Sequence, residues 1–202
     1  RADRPQKGRL REFTQCDADI IGSKSLWLEI DLINLMVFIF NSLGLLSNDL
    51  VIKINNRKIL EGLFESFSSN LSFSNFCIII DKIDKIGLDK VTQLLLKNGF
   101  SKKDTVCIRE LFLYKGSFLD KKSFISNKIN NDNLKQGLNE LSFILDQLDL
   151  LSISSPLEFD VSLARGLNYY TGSIFEVISL KNNTASLAGG GRYDELTKEF
   201  GL

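Results

Sequence analysis

Residues 165–176, Arg-Gly-Leu-Asn-Tyr-Tyr-Thr-Gly-Ser-Ile-Phe-Glu, gather a guanidinium, two phenols and two glycines into one short stretch. The run before it, 157–163, alternates apolar odd positions with polar even ones, which is the period of a half-buried strand. Arg165 keeps the parity of the apolar set and is expected to point inward, where a guanidinium requires an anionic partner. That partner is either a carboxylate of the core or an anionic ligand, and this stretch alone leaves the two readings level. Gly166 and Gly172 allow tight backbone turns on either side of Tyr169 and Tyr170. Each tyrosine joins an apolar ring to a polar tip, which suits a small pocket for one polar ligand.

A second stretch carries complementary chemistry. From Arg9 the odd positions read Arg9, Arg11, Phe13, Gln15, Asp17 and Asp19, and the even positions Leu10, Glu12, Thr14, Cys16, Ala18 and Ile20. The even side is mostly apolar or small and fits a core. The odd side is cationic at one end, aromatic in the middle and acidic at the far end. That gradient matches a ligand with phosphates, a flat ring and an ammonium group; the competing reading is a solvent-facing strand of mixed charge, against which Phe13 argues. A third stretch, Gly189-Gly190-Gly191-Arg192-Tyr193-Asp194, allows either close approach of a ligand to backbone or a tight bend.

These stretches need elements to hold them. Pro5 and Gly8 make the centre of 1–11 a loop, and a strand follows from Arg9. Ser25 can cap a helix over 26–43, apolar on most faces and hence expected to be buried, with Gly44 as its stop. Leu50 to Asn56 reads as a short strand followed by a turn. From 57 to 151 leucines and phenylalanines recur at helical spacing over 58–67, 76–86, 89–97, 103–115 and 133–150, separated by Gly87, Gly99 and Ser/Asn-rich joints. This is read as a small helical domain (57–151) inserted between two parts of a core, 1–56 and 152–202. Its lysines are interspersed with acidic residues and read as a solvated surface in preference to an RNA-binding face. Asn182-Asn183 reads as a hairpin turn, and a helix is expected from Tyr193 or Asp194 to Phe200.

Composition narrows the chemistry. The chain has 202 residues, 44% of them hydrophobic, enough for a sizeable core in one or two domains. Lys and Arg number 25 and Asp and Glu also 25, so no global field draws nucleic acid or membrane. Three separated cysteines and no histidine argue against a disulfide framework or a thiolate–imidazole zinc site, and favour a reducing cytoplasm. The absence of histidine also removes the usual general base for serine or cysteine nucleophiles. The longest apolar stretch, 30–40, is interrupted by Asp31 and Asn34 and is too short to span a bilayer.

Residues 4–17, Arg-Pro-Gln-Lys-Gly-Arg-Leu-Arg-Glu-Phe-Thr-Gln-Cys-Asp, closely resemble motif 2 of a class II aminoacyl-tRNA synthetase. Residues 163–172 and Gly190-Gly191-Arg192-Tyr193-Asp194 resemble the two histidine-binding signatures of histidyl-tRNA synthetases. The resemblance covers the whole chain in order, the helical segment being its least specific part. It implies an α+β fold, the class II antiparallel sheet flanked by helices with the helical domain inserted. It implies a reaction as well: histidine and ATP give histidyl adenylate and pyrophosphate, and the histidyl group then passes to its tRNA.

Carried onto single residues, the resemblance assigns Arg1 to the α-phosphate, with Arg165 facing it from the other side as a second catalytic cation. Phe13 would stack on adenine, and the loop carrying Arg9 would close over ATP and meet the tRNA acceptor end. Gln15 and Asp19 would hold the carboxylate-and-amine end of histidine, Tyr169 and Tyr170 would line the imidazole pocket, and 189–193 would form its wall. ATP is a substrate, Mg2+ is expected with it, and no protein metal site is identified. A cytoplasmic homodimer with no membrane association is implied for the full-length parent. This chain would be a piece running from motif 2 to just short of motif 3, with negligible adenylation activity alone. Asn168 departs from the aspartate that many relatives carry. The alternative is a non-catalytic histidine sensor, like the synthetase-like regulatory subunit of ATP phosphoribosyltransferase; Arg1, Arg9 and Phe13 favour the synthetase. A third reading makes the helical segment an RNA- or protein-binding module beside a vestigial site.

Overall fold

In the computed structural model, residues 11–45, 49–153, 157–165, 169–181, 186–195 and 201 are described. Their order is α1 (Trp27–Ser42), β1 (Leu50–Asn56), seven helices, then β2 (Leu157–Phe159), β3 (Ser173–Ser179) and β4 (Ala188–Gly191). The helices are α2 (Arg57–Glu65), α3 (Phe73–Ile80), α4 (Ile83–Ile86), α5 (Leu88–Lys97), α6 (Lys102–Leu113), α7 (Phe118–Lys128) and α8 (Asp132–Leu150). The strands form one sheet in the order β2-β1-β3-β4. β3 runs antiparallel to both neighbours, whereas β1 and β2 are parallel, as a strand pair joined by a long helical crossover can be. The sheet is therefore mixed: antiparallel as expected, except for that one pair.

β1 begins and ends where the apolar run predicts, but no turn follows it. Asn56 is at once the last strand residue and the N-cap of α2, its side chain accepting from the Lys58 N–H at 3.0 Å. The helix over 118–128 is one the spacing of apolar residues did not predict, and the one expected over 76–86 divides into α3 and α4. The signal for α7 was present. Ser117 and Asp120 form a reciprocal capping box, as Ser101 and Asp104 do for α6.

One face of the sheet and the helices form a cluster around Ile30, Ile33, Ile54, Ile59, Leu134 and Phe175. A second cluster joins Leu60, Phe76, Val91, Leu95 and Phe100 of the helices to Leu163, Ala164, Tyr170 and Ile174 of the sheet and the loop before it. α2 crosses α8 at close range. A Cβ on Gly62 would come within 2.5 Å of the Leu134 nitrogen, and one on Gly137 within 2.7 Å of Ile59.

Three expectations change. α1 is not buried all round: Glu29, Ile30 and Ile33 face the core, while Phe38 and Leu43 are each 68% exposed. The N-cap of α1 is Leu26, without a side-chain cap, rather than Ser25, whose hydroxyl accepts from the Trp27 N–H at 3.3 Å; Gly44 follows the helix end at φ 74°. Secondly, 11–22 contain no strand beyond an isolated bridge at Glu12. Side-chain alternation makes a strand only where a neighbouring backbone goes on meeting the backbone groups, and among the described residues no ladder extends past that bridge. Thirdly, β2 stops at Phe159 because Asp160 turns the chain: its Oδ1 accepts from the Ser162 N–H at 2.9 Å and hydroxyl at 2.6 Å. The three glycines are the last three residues of β4. The expected 182–183 turn lies outside the described residues, as does 196–200 of the helix expected from Tyr193 or Asp194; its first residues, 193–195, are described and are not helical.

Candidate active site

An open cleft of about 1090 Å³ is lined by Glu12, Phe13, Thr14, Gln15, Asp17 and Tyr169. The motif 2-like segment and the first histidine-like signature thus meet at one place. Phe13 is half-buried there, and the Gln15 amide donates to Asp17 at 2.8 Å. Asp19 accepts from the Tyr193 hydroxyl at 2.6 Å, a bond that is the main reason the Tyr193 phenol is pushed up to about 12. Tyr193 in turn meets Tyr169 edge-on at 6.5 Å.

The paired tyrosines part company in depth. Tyr169 is half-buried and reaches the cleft, whereas Tyr170 is only 7% exposed and packs into the second cluster. Burial, followed by a hydrogen bond with Tyr169, pushes the Tyr170 phenol up to about 12, while the Arg165 charge pulls it down and the Asp19 charge pushes it up. Arg165, Tyr169, Tyr170 and Asp19 therefore share one electrostatic neighbourhood. Arg1 and Arg9 lie outside the described residues.

Arg165 does not end a strand. It sits at φ 41°, a left-handed backbone that only surrounding contacts sustain in a residue with a side chain. Its Nη1 donates to the Phe175 carbonyl at 3.3 Å and lies 3.9 Å from Glu176 Oε1. The guanidinium lies over Gly189, where a Cβ would sit 1.8 Å from Nη1. A glycine at 189 is thus required by the arginine. The carboxylate of the competing reading is present, but at a distance and with an exposure that leave the guanidinium able to meet a further anion.

Several positioning residues escaped sequence reasoning. Arg192 donates to Glu29 Oε1 at 2.9 Å and Oε2 at 3.2 Å, and through Nε to Asp194. Burial raises the Glu29 carboxyl above its ordinary value, and Arg192 partly offsets that. This pair ties the 191–194 segment to α1, while the Thr171 N–H donates to the Arg192 carbonyl at 2.8 Å. A polar residue within an apolar helix was the available signal. Asp160, which shapes the turn before Arg165, is pushed up by burial, but Lys53 at 2.7 Å and the Ser162 donors outweigh burial and hold it below its ordinary value.

The family model described as "Histidyl-tRNA synthetase" matches residues 1–202. The chain belongs to the histidyl-tRNA synthetase family. It is 48% identical over 205 residues to the histidine–tRNA ligase of Flavobacterium johnsoniae, covering 100% of this chain and 43% of that protein. With the histidine–tRNA ligase of Azobacteroides pseudotrichonymphae it shares 46% identity, again over 100% of this chain and 44% of the relative. The chain therefore spans less than half the length of these curated relatives. The crystal structure of histidyl-tRNA synthetase from Nostoc sp. matches with a TM-score of 0.78 and 32% identity, covering 88% of this chain and 42% of that one. A Bacillus halodurans structure titled as an ATP phosphoribosyltransferase regulatory subunit/histidyl-tRNA synthetase gives a TM-score of 0.75 over 91% of this chain and 47% of that one. At 20% identity it speaks to the shared fold alone. These likenesses agree with a class II synthetase architecture.

Proposed function

We propose that this chain is the part of a histidine–tRNA ligase that activates histidine. The observation that carries the reading is the cleft where Phe13 and Gln15 face Tyr169, with Asp19 and Arg165 close by. In this reading adenine stacks on Phe13, Arg9 holds the phosphates, and Gln15 and Asp19 take the carboxylate-and-amine end of histidine. Tyr169 and Tyr170 surround the imidazole. A carboxylate oxygen of histidine attacks the α-phosphorus; that P–O bond forms as the bond to the α,β-bridging oxygen breaks, and pyrophosphate leaves with the electron pair. Arg1 and Arg165 stabilise the negative charge that gathers on the α-phosphate oxygens, which favours the transition state over the ground state. The nucleophile is already deprotonated at neutral pH, so the absence of histidine side chains does not hinder the step. A ribose hydroxyl of the histidine tRNA then attacks the acyl carbon, loses its proton, and releases AMP.

Mg2+ would arrive with ATP; among the described residues no three Cys, Asp or Glu side chains converge on a metal site, and no step is routed through the ion. The partition into 1–56, 57–151 and 152–202 belongs to the same proposal, supported by the chain leaving the sheet at Asn56 and rejoining it at Leu157. Assembly of the full-length protein as a cytoplasmic homodimer belongs to it too. Among the described residues no helix is long and apolar enough to cross a membrane. Compared with a histidine sensor, the ligase reading is supported by relatives named histidine–tRNA ligase at up to 48% identity. Histidine-dependent exchange of pyrophosphate into ATP by the full-length protein tests the proposal. Binding of histidine without exchange would favour the sensor.

A further inference from the structure

We infer that Asn55 and Arg57 are positioning residues for Arg165, acting on it through the backbone of the loop that delivers it. The inference rests on the reading that Arg165 faces the α-phosphate.

Asn55 is fully buried at the end of β1 and its amide spends both N–H donors on one loop, reaching the Val161 carbonyl at 3.0 Å and the Leu163 carbonyl at 2.9 Å. Its Oδ1 accepts from the Asn56 N–H at 2.8 Å, which fixes the amide's orientation. Arg57 is 4% exposed and continues the series: Nη1 donates to the Ala164 carbonyl at 3.3 Å. Its own backbone N–H donates to the Gly172 carbonyl at 2.8 Å, and its guanidinium lies 4.7 Å from the centre of the Phe73 ring. Three carbonyls immediately before Arg165, and the glycine that closes the signature, are therefore held by two residues of one tripeptide. Asn56 completes the anchorage by donating to Glu140 of α8 at 2.8 Å.

A left-handed backbone at a non-glycine residue persists only where its surroundings over-determine it. Arg165 has that backbone, and these are the contacts that impose it. If the loop relaxes, φ at Arg165 returns toward ordinary values and the guanidinium swings away from Gly189. An aspartate at 55 would set a carboxylate against two carbonyls, so the amide is chemically required and not merely a residue of suitable size.

The test uses histidine-dependent pyrophosphate exchange by the full-length protein with Asn55→Ala, Arg57→Lys and Arg165→Ala, singly and combined. Each anchor variant should lower kcat by roughly 10- to 100-fold, because about 1 Å of misplacement is enough for such losses. The Michaelis constants for histidine and ATP should stay within about threefold, as the contact matters most in the transition state. In the Arg165→Ala background the anchor variants should cause no further loss. Losses that multiply in the double variants, or an unchanged kcat, would overturn the inference. Should Asn55→Ala fail to fold, Arg57→Lys decides, since it keeps the charge and the backbone donor to Gly172. A wild type without exchange overturns the functional reading instead; the anchoring is then decided by a crystal structure of Arg57→Lys, in which Arg165 must have left Gly189.

Discussion

Gly189→Ala separates the position of Arg165 from the stability of the fold. The new Cβ would fall 1.8 Å from Arg165 Nη1, and ordinary contact begins at about 3.4 Å, so the guanidinium must retreat by about 1.6 Å. The yielding group is the far end of a flexible side chain rather than backbone, and Gly189 has no left-handed φ that alanine would resist. The fold should lose little more than the Arg165 bond to the Phe175 carbonyl, about 1 kcal/mol net. That corresponds to a few degrees in Tm for a domain of this size. Activity should suffer far more, because a displacement above 1 Å at a charge-stabilising group costs on the order of a hundredfold. Steady-state pyrophosphate exchange and thermal melting of the full-length variant measure the two quantities. Gly190→Ala is the control for thermal stability, since a Cβ there meets no protein atom within 4 Å. Near-wild-type exchange by Gly189→Ala would refute the idea that the guanidinium works where the structure places it.

Three further outcomes are expected. Arg165→Lys should recover only part of the kcat lost in Arg165→Ala, because one ammonium cannot reproduce a planar fork; full recovery would show that only charge matters. Tyr170→Phe keeps the buried ring but removes a hydroxyl whose loss leaves a polar partner unmet, about 1.4 kcal/mol, so the Michaelis constant for histidine should rise about tenfold while that for ATP barely moves. Equal effects on both constants would make Tyr170 a strut. Asp160 titrates below its ordinary 3.8 in the folded chain, so its contribution to stability is present above that value and is lost as pH falls through the lower, folded one. Asp160→Asn should therefore lower stability at neutral pH, leaving Lys53 unpaired, and flatten the acid limb of stability against pH; an unchanged limb would assign acid unfolding to other carboxylates.

Local pattern was sufficient wherever a residue's role is set by near neighbours. β1 is delimited by its apolar run and by the capping asparagine, and most helices by their spacing and by serine caps. The pattern failed where a distant partner decides. Residues 11–22 alternate without becoming a strand, since alternation describes side chains and a strand needs another backbone beside it. Asn55 read as a strand residue and Arg57 as the start of the helical segment, yet their bonds reach carbonyls more than 100 residues away. Glu29 stands in an apolar helix, and the sequence around it does not show that Arg192 meets it from the far end of the chain. The glycine triplet was read as room for a ligand or as a tight bend; at 189 the space is taken by Arg165 itself.

The glycine-lined crossing of α2 and α8 bears on the order in which the molecule assembles. The nearest paired residues of β1 and β3, Asn56 and Ser173, are separated by about 120 residues, and closing so long a loop costs about 4 kcal/mol of chain entropy. If α2 and α8 dock first, the open chain left between Leu150 and Ser173 is about 20 residues, and the closure penalty falls by about 1.4 kcal/mol. That difference is close to a tenfold gain in rate. The helical excursion should therefore collapse ahead of the sheet and act as the splint on which the central strand pair is joined. In pulse-labelled hydrogen exchange during refolding of the full-length protein, amides of α2 and α8 should gain protection before those of β1 and β3. Protection appearing first in the strands would mean that the sheet organises the helices instead.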